Sequence, residues 1–77
     1  MHRSQLRAAR ALIGWSQEAL SEASGVSVAT IKRLEPGEGL LKTRLETLEK
    51  LRRALESQGV AFTDGGEPGV RLVKKAV

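Results

Sequence analysis

The residues whose types and spacing could do chemistry lie in the stretch from Gln17 to Leu34. Val28, Ala29, Thr30, Lys32 and Arg33 alternate there with apolar Ile31 and Leu34. At helical spacing Ile31 and Leu34 share one side, which leaves a polar and cationic side free. A short helix with such a face fits the major groove of B-form DNA, about 12 Å wide. Arg33 can donate two hydrogen bonds to guanine O6 and N7, and it can equally reach a phosphate. Thr30 brings a hydroxyl and a methyl to a base edge. Val28 and Ala29 offer only apolar contact. Lys32 suits a phosphate or solvent better than a base.

Other chemistries find little to work with. The one histidine is His2, at the chain end, and there is no cysteine. No nucleophile stands near a base in the pattern, no glycine loop is built to cradle phosphate, and no cluster has metal-ligand spacing. Asp64 and Glu67 flank glycines in a loop and make no convincing site. The expectation is a protein without enzymatic activity, cofactor or metal. One Trp and one Phe cannot form the aromatic platform that single-strand binders use, so the expected nucleic acid is double-stranded.

Size and charge are consistent with this. Seventy-seven residues make one domain, with 40% hydrophobic and 29% charged residues. The net charge of +4 favours polyanionic partners. Its placement is uneven: Arg3, Arg7 and Arg10 lie in the first fifteen residues, Glu18 and Glu22 follow, and Lys32, Arg33, Lys42 and Arg44 come next. The lack of cysteine fits a reducing compartment. No apolar run approaches the ~20 residues of a membrane span. These features predict a cytoplasmic protein with no membrane partner.

The elements that must position the cationic segment can be read from caps and stops. A first helix is expected over about Gln5 to Ile13, capped by Ser4, with Leu6, Ala9, Ile13 and neighbouring Leu12 as its apolar stripe and Gly14 as its stop. A second is expected over Gln17 to Ser24. Ser16 caps it, and Trp15 and Leu20 stand at the spacing of a hydrophobic staple. Val26, Ser27 and Ile31 repeat that device for a third helix, which Pro36 ends near Glu35. Two stapled helices joined by Gly25-Val26-Ser27 must turn sharply, as in an αα corner or helix-turn-helix. Residues 36–42 form a loop in which Leu40 and Leu41 should tuck under the core. Thr43 and Glu46 predict a capping box for a fourth helix over about Arg44 to Gln58, burying Leu45, Leu48, Leu51, Ala54 and Leu55. Beyond Gly59 the period changes. Val60-Ala61-Phe62 and Val70-Arg71-Leu72-Val73 read as two short strands with Val60, Phe62, Val70 and Leu72 on one face. Residues 74–77 are expected to fray.

The joint pattern Gly14-Trp15-Ser16-Gln17, Ala19-Leu20, Gly25-Val26-Ser27, Thr30-Ile31 and Leu34-Glu35-Pro36-Gly37 resembles the phage-repressor and Cro type of helix-turn-helix, the Xre family. The resemblance covers about residues 4–58. It implies an all-α fold, a lambda-repressor-like bundle of four helices, here followed by a short two-stranded β extension over residues 59–77. It also implies roles. Gln17 would contact the DNA backbone and brace the third helix. Ser27, Val28, Ala29 and Thr30 would stand at the base-facing end of that helix, with Lys32 beside them and Arg33 one turn on. Lys42 and Arg44 would touch phosphates. Arg10 and Glu35 would form a partly buried ion pair between the first and third helices. Ser21 and Ser24 depart from the pattern, where alanine and an apolar residue are usual, and the usual fifth helix is absent.

The implied function is sequence-specific binding of double-stranded DNA by a transcriptional regulator acting as a homodimer. The alternative is an antitoxin or another protein-interaction module on the same fold. Residues 60–73 could pair the dimer through an exposed strand edge, or could fold back over the first and fourth helices.

Overall fold

The computed structural model describes residues 1–63 and 66–73. It contains α1 (Arg3–Ile13), α2 (Gln17–Ser24), α3 (Val28–Leu34), α4 (Leu45–Glu56), β1 (Val60–Thr63) and β2 (Gly69–Leu72). The chain is four helices with a small antiparallel two-stranded sheet. No described helix is long and apolar enough to cross a membrane.

The centre of the fold is built by local signals. Ser16 Oγ accepts the Ala19 N–H at 2.9 Å, and Ser27 Oγ accepts the Thr30 N–H at 3.2 Å. Each satisfies one donor that the first helical turn would leave orphaned. Gly25 ends α2 at φ +78°, a left-handed conformation in which any other L-residue would be strained. Ser24, one of the departures noted above, braces this turn: its Oγ accepts the Val26 N–H at 3.1 Å. The turn swings α3 across α2, so that Leu20, Val26, Ile31 and Leu34 meet Leu6, Ala9, Leu51, Ala54, Leu55 and Val60 in one core. Burying Ile31 and Leu34 stabilises α3 by roughly 1.5–3 kcal/mol for each side chain. Without that, seven residues are too few for a stable helix.

Several local expectations are corrected. Ser4 does not cap α1. The helix begins at Arg3 with His2 at the cap position, and Gln5 Oε1 accepts the His2 N–H at 2.7 Å. The cause is non-local: Leu41 N–H donates to Met1 O, Arg3 N–H donates to Gly39 O, and His2 bridges Leu40, which together fix the start of the chain. The Thr43 capping box does not form either. Arg44 takes the cap position of α4 without a side-chain cap bond, and the helix runs only to Glu56. The helical phase set by Leu51, Ala54 and Leu55 then carries Leu45 outward, to 73% exposed. Leu12 likewise turns outward, off the Leu6–Ala9 stripe. Of Leu40 and Leu41 only the latter packs on the core. Successive residues of an extended segment point to opposite sides, so both cannot face inward.

The sheet pairs Val60 with Leu72 and Phe62 with Val70, which sets those four side chains on one face. It packs against α1 and the end of α4. Gln5 Nε2 donates to Thr63 O at 3.1 Å and to Gly69 O at 3.0 Å, holding the loop end of the strand pair against α1. Of the two courses open to the tail, the fold takes the second and turns it back on the helices. The fraying expected at 74–77, and Asp64 of the dismissed carboxylate pair, lie outside the described residues.

Candidate nucleic-acid interface

α3 presents an outward surface one helical turn deep. Ala29, Lys32 and Arg33 are exposed, and Val28 and Thr30 are half-buried. Ala29 and Arg33 stand four residues apart and so lie one above the other on the helix face. Thr30 is tied to the cap, since Ser27 Oγ donates to Thr30 Oγ1 at 2.9 Å. That bond occupies one acceptor site of the Thr30 hydroxyl and leaves its hydrogen free to donate. Lys42 and Arg44 are exposed on the segment that leads into α4.

Beneath this surface Glu35 gathers the motif. Its side chain is only 5% exposed. Arg10 Nε donates to Glu35 Oε2 at 2.6 Å and Arg10 Nη2 donates to Oε1 at 2.9 Å, a two-pronged pair. Gln17 Nε2 donates to the same Oε1 at 2.9 Å. Arg10 Nη1 also donates to Trp15 O at 2.8 Å, which ties the α1–α2 turn to the pair. Burial alone would raise the Glu35 carboxyl above its ordinary range, but the hydrogen bonds from Arg10 and Gln17, together with the positive charges of Arg10 and Arg7, outweigh it and hold the value low. The hydrogen bond to Glu35 raises the Arg10 guanidinium in turn. α1, α2 and the end of α3 thus meet at one carboxylate. Gln17 is committed to Glu35 through one amide hydrogen, and its second remains available.

Two residues of this assembly carried no role in the sequence reading. Arg3 Nη1 donates to Leu34 O at 2.6 Å, and Arg7 Nη1 donates to Glu35 O and, at 2.9 Å, to Gly37 O. A helix C-terminus leaves carbonyls unpaired and carries a partial negative charge. α3 has no glycine cap there, because Glu35 stays helical and Pro36 follows. Arg3 and Arg7 do that work across the gap between helices. The signal was present in the spacing of Arg3, Arg7 and Arg10, which fall on one row of α1. Its meaning required knowing what that row faces. The positive charge of the first fifteen residues is spent inward, on the end of α3, while Lys32, Arg33, Lys42 and Arg44 stay exposed on α3 and on the segment that leads into α4.

A family model described as helix-turn-helix matches residues 6–59, about seven-tenths of the chain. The chain belongs to the helix-turn-helix family. Within it the match is to the Xre and lambda-repressor kind, a family of DNA-binding regulatory domains. No curated protein and no solved structure matches the chain. As a helix-turn-helix protein it has α2 and α3 as the two helices of the motif and Gly25–Ser27 as the turn. The sheet at residues 60–72 begins where the matched segment ends.

Proposed function

We propose that this helix-turn-helix protein binds double-stranded DNA sequence-specifically as a transcriptional regulator, with α3 in the major groove. The observation that carries the reading is the division of α3 into two sides. Ile31, Leu34 and Glu35 are locked inward, while Ala29, Lys32 and Arg33 are free on a helix whose far end is held by three arginines. Groups held rigid before contact lose less entropy on binding.

Arg33 carries most of the discrimination, as the one side chain on the face able to make a two-pronged contact with guanine. The Thr30 hydroxyl donates to an acceptor on a base edge or a phosphate. Val28 and Ala29 sit against thymine methyls or sugar. Gln17 and Ser27 contact the backbone at the helix starts, and Lys42, Arg44 and Lys32 neutralise phosphates. Residues 4–58 form the reading unit, and the strand pair Val60–Thr63 and Gly69–Leu72 of the extension buttresses it. A single copy makes few base contacts, so the working form is a homodimer on a two-fold operator, with α3 helices about 34 Å apart on successive major grooves.

Selection from a random duplex library at low salt tests this. The expected product is an inverted repeat with half-sites one helical turn apart, bound with an affinity that falls steeply with salt. Enrichment of no sequence, together with binding that ignores salt, contradicts the reading and leaves a protein-interaction module.

A further inference from the structure

Gln5 is polar, buried and bonded at both ends of its amide. Its carbonyl accepts the His2 N–H at 2.7 Å, and its amide nitrogen donates to Thr63 O and Gly69 O at the loop end of the strand pair. Such a side chain is costly to lose, because each orphaned partner stays desolvated. The three bonds join two segments that are far apart in sequence, the strand pair and the first residues of the chain.

Those first residues in turn hold the segment between α3 and α4. Met1 O accepts the Leu41 N–H at 2.9 Å, Gly39 O accepts the Arg3 N–H at 2.9 Å, and His2 bridges Leu40 between them. Met1, His2 and Leu40 also share one hollow with Gly66 and Pro68, so the loop of the strand pair reaches the same place. Nearer α3, Arg7 Nη1 donates to Gly37 O at 2.9 Å. The segment has little packing of its own to fix it. Gly37 and Gly39 both stand at positive φ with open space around them, and Leu40 is 59% exposed. Lys42 follows Leu41 directly, and Arg44 stands two residues further on.

We propose that Gln5 is a positioning residue for DNA binding: it carries the support of the strand pair through residues 1–3 to residues 39–41, and so holds Lys42 and Arg44 ready for phosphate. The proposal rests on the duplex-binding reading and deepens it. Gln5 is too deeply buried to touch a duplex, so its effect on binding passes through the segment it supports. A segment ordered before contact does not have to be ordered by the duplex, and less binding free energy is lost. Phosphate contacts carry no sequence information, so the support serves affinity on any duplex and leaves discrimination to α3.

The test compares duplex binding of the wild type and Gln5→Leu well below both melting temperatures, where both chains are folded. Gln5→Leu should lose about tenfold in affinity, the equivalent of ordering one further residue on binding. The loss should be the same on selected and random duplex. It should vanish when Lys42→Ala and Arg44→Ala are already present, because no contact is then left to position. A change that merely loosened the fold would act in both backgrounds. Hydrogen exchange without DNA reads the relay itself. In the wild type the Leu41 N–H should open together with the β1 and β2 amides, and in Gln5→Leu it should exchange faster. Unchanged affinity, a loss confined to the selected duplex, or a loss that persists without Lys42 and Arg44 overturns the proposal. So does a wild-type Leu41 amide that opens independently of the strands, a result that decides the matter even where Gln5→Leu does not fold. A wild type with no affinity for any duplex sinks the duplex reading and this proposal together. A wild type that binds, beside a Gln5→Leu variant that binds as well, sinks this proposal alone.

Discussion

Glu35 holds three elements through one carboxylate, and its ionisation should be visible in the stability of the whole chain. Its carboxyl lies below the ordinary value of 4.5 because Arg10 and Gln17 donate to it. A group lowered on folding stabilises the folded state fully above its unfolded value, and that contribution is lost as pH falls through the folded value. The melting temperature should therefore drop as pH is lowered from about 4.5, in part through Glu35. Glu35→Gln should flatten this part of the profile. At neutral pH it should also cost ~3 kcal/mol, by leaving Arg10 facing an uncharged partner. Identical pH profiles for the two proteins would show that the carboxylate is not coupled to folding. The Arg10–Glu35 pairing was legible in the sequence only through the resemblance. Arg3 and Arg7 were not, because their partners are backbone carbonyls, and any residue type can supply a carbonyl.

The turn between α2 and α3 sets which way α3 faces, and it was the most legible element. Ser16, Gly25 and Ser27 act within three or four residues of themselves, so sequence spacing alone is informative. The ends of α1 and α4 were less legible. The start of α1 is set by the bridge between His2 and Leu40, and the phase of α4 by packing against the core. Ser4 and Thr43 had suitable chemistry in positions that tertiary structure did not use. The cap of α3 can be tested directly. Ser27→Ala should cost about 1 kcal/mol, by leaving the Thr30 N–H without its acceptor. In a domain of this size that lowers the melting temperature by roughly 4–8 °C. An unchanged melting temperature would mean that α3 is held by burial of Ile31 and Leu34 alone.

Across the whole molecule, the extension shares the apolar core through Val60 and is tied to α1 by polar contacts at Gln5, which is 2% exposed. Its amide donates to both strands while its carbonyl takes the His2 N–H. Gln5→Leu would leave two strand carbonyls and one N–H without their partner, a cost of about 2 kcal/mol. Hydrogen exchange should quicken at the β1–β2 amides and at the start of α1, while α2 and α3 keep their protection. Uniform quickening would show that the extension and the motif unfold as one unit. The strand pair itself was legible from the change of period after Gly59. Its packing was not, since a short amphipathic hairpin can cover its own helices or another chain equally well.

Charge is divided at the same scale. α1 spends its arginines on α3, and Lys32, Arg33, Lys42 and Arg44 remain outward. The central claim is that Arg33 reads bases while Lys32, Lys42 and Arg44 serve affinity. The most direct measurement is competition binding of wild type, Arg33→Ala and Lys42→Ala to the selected duplex and to random duplex across a salt series. Arg33→Ala should lose ~1–3 kcal/mol on the selected duplex and much less on random duplex. Lys42→Ala should lose equally on both and reduce the salt slope by about one unit. Equal losses for Arg33→Ala on the two duplexes, or a wild type with no affinity for any duplex at low salt, would contradict the account.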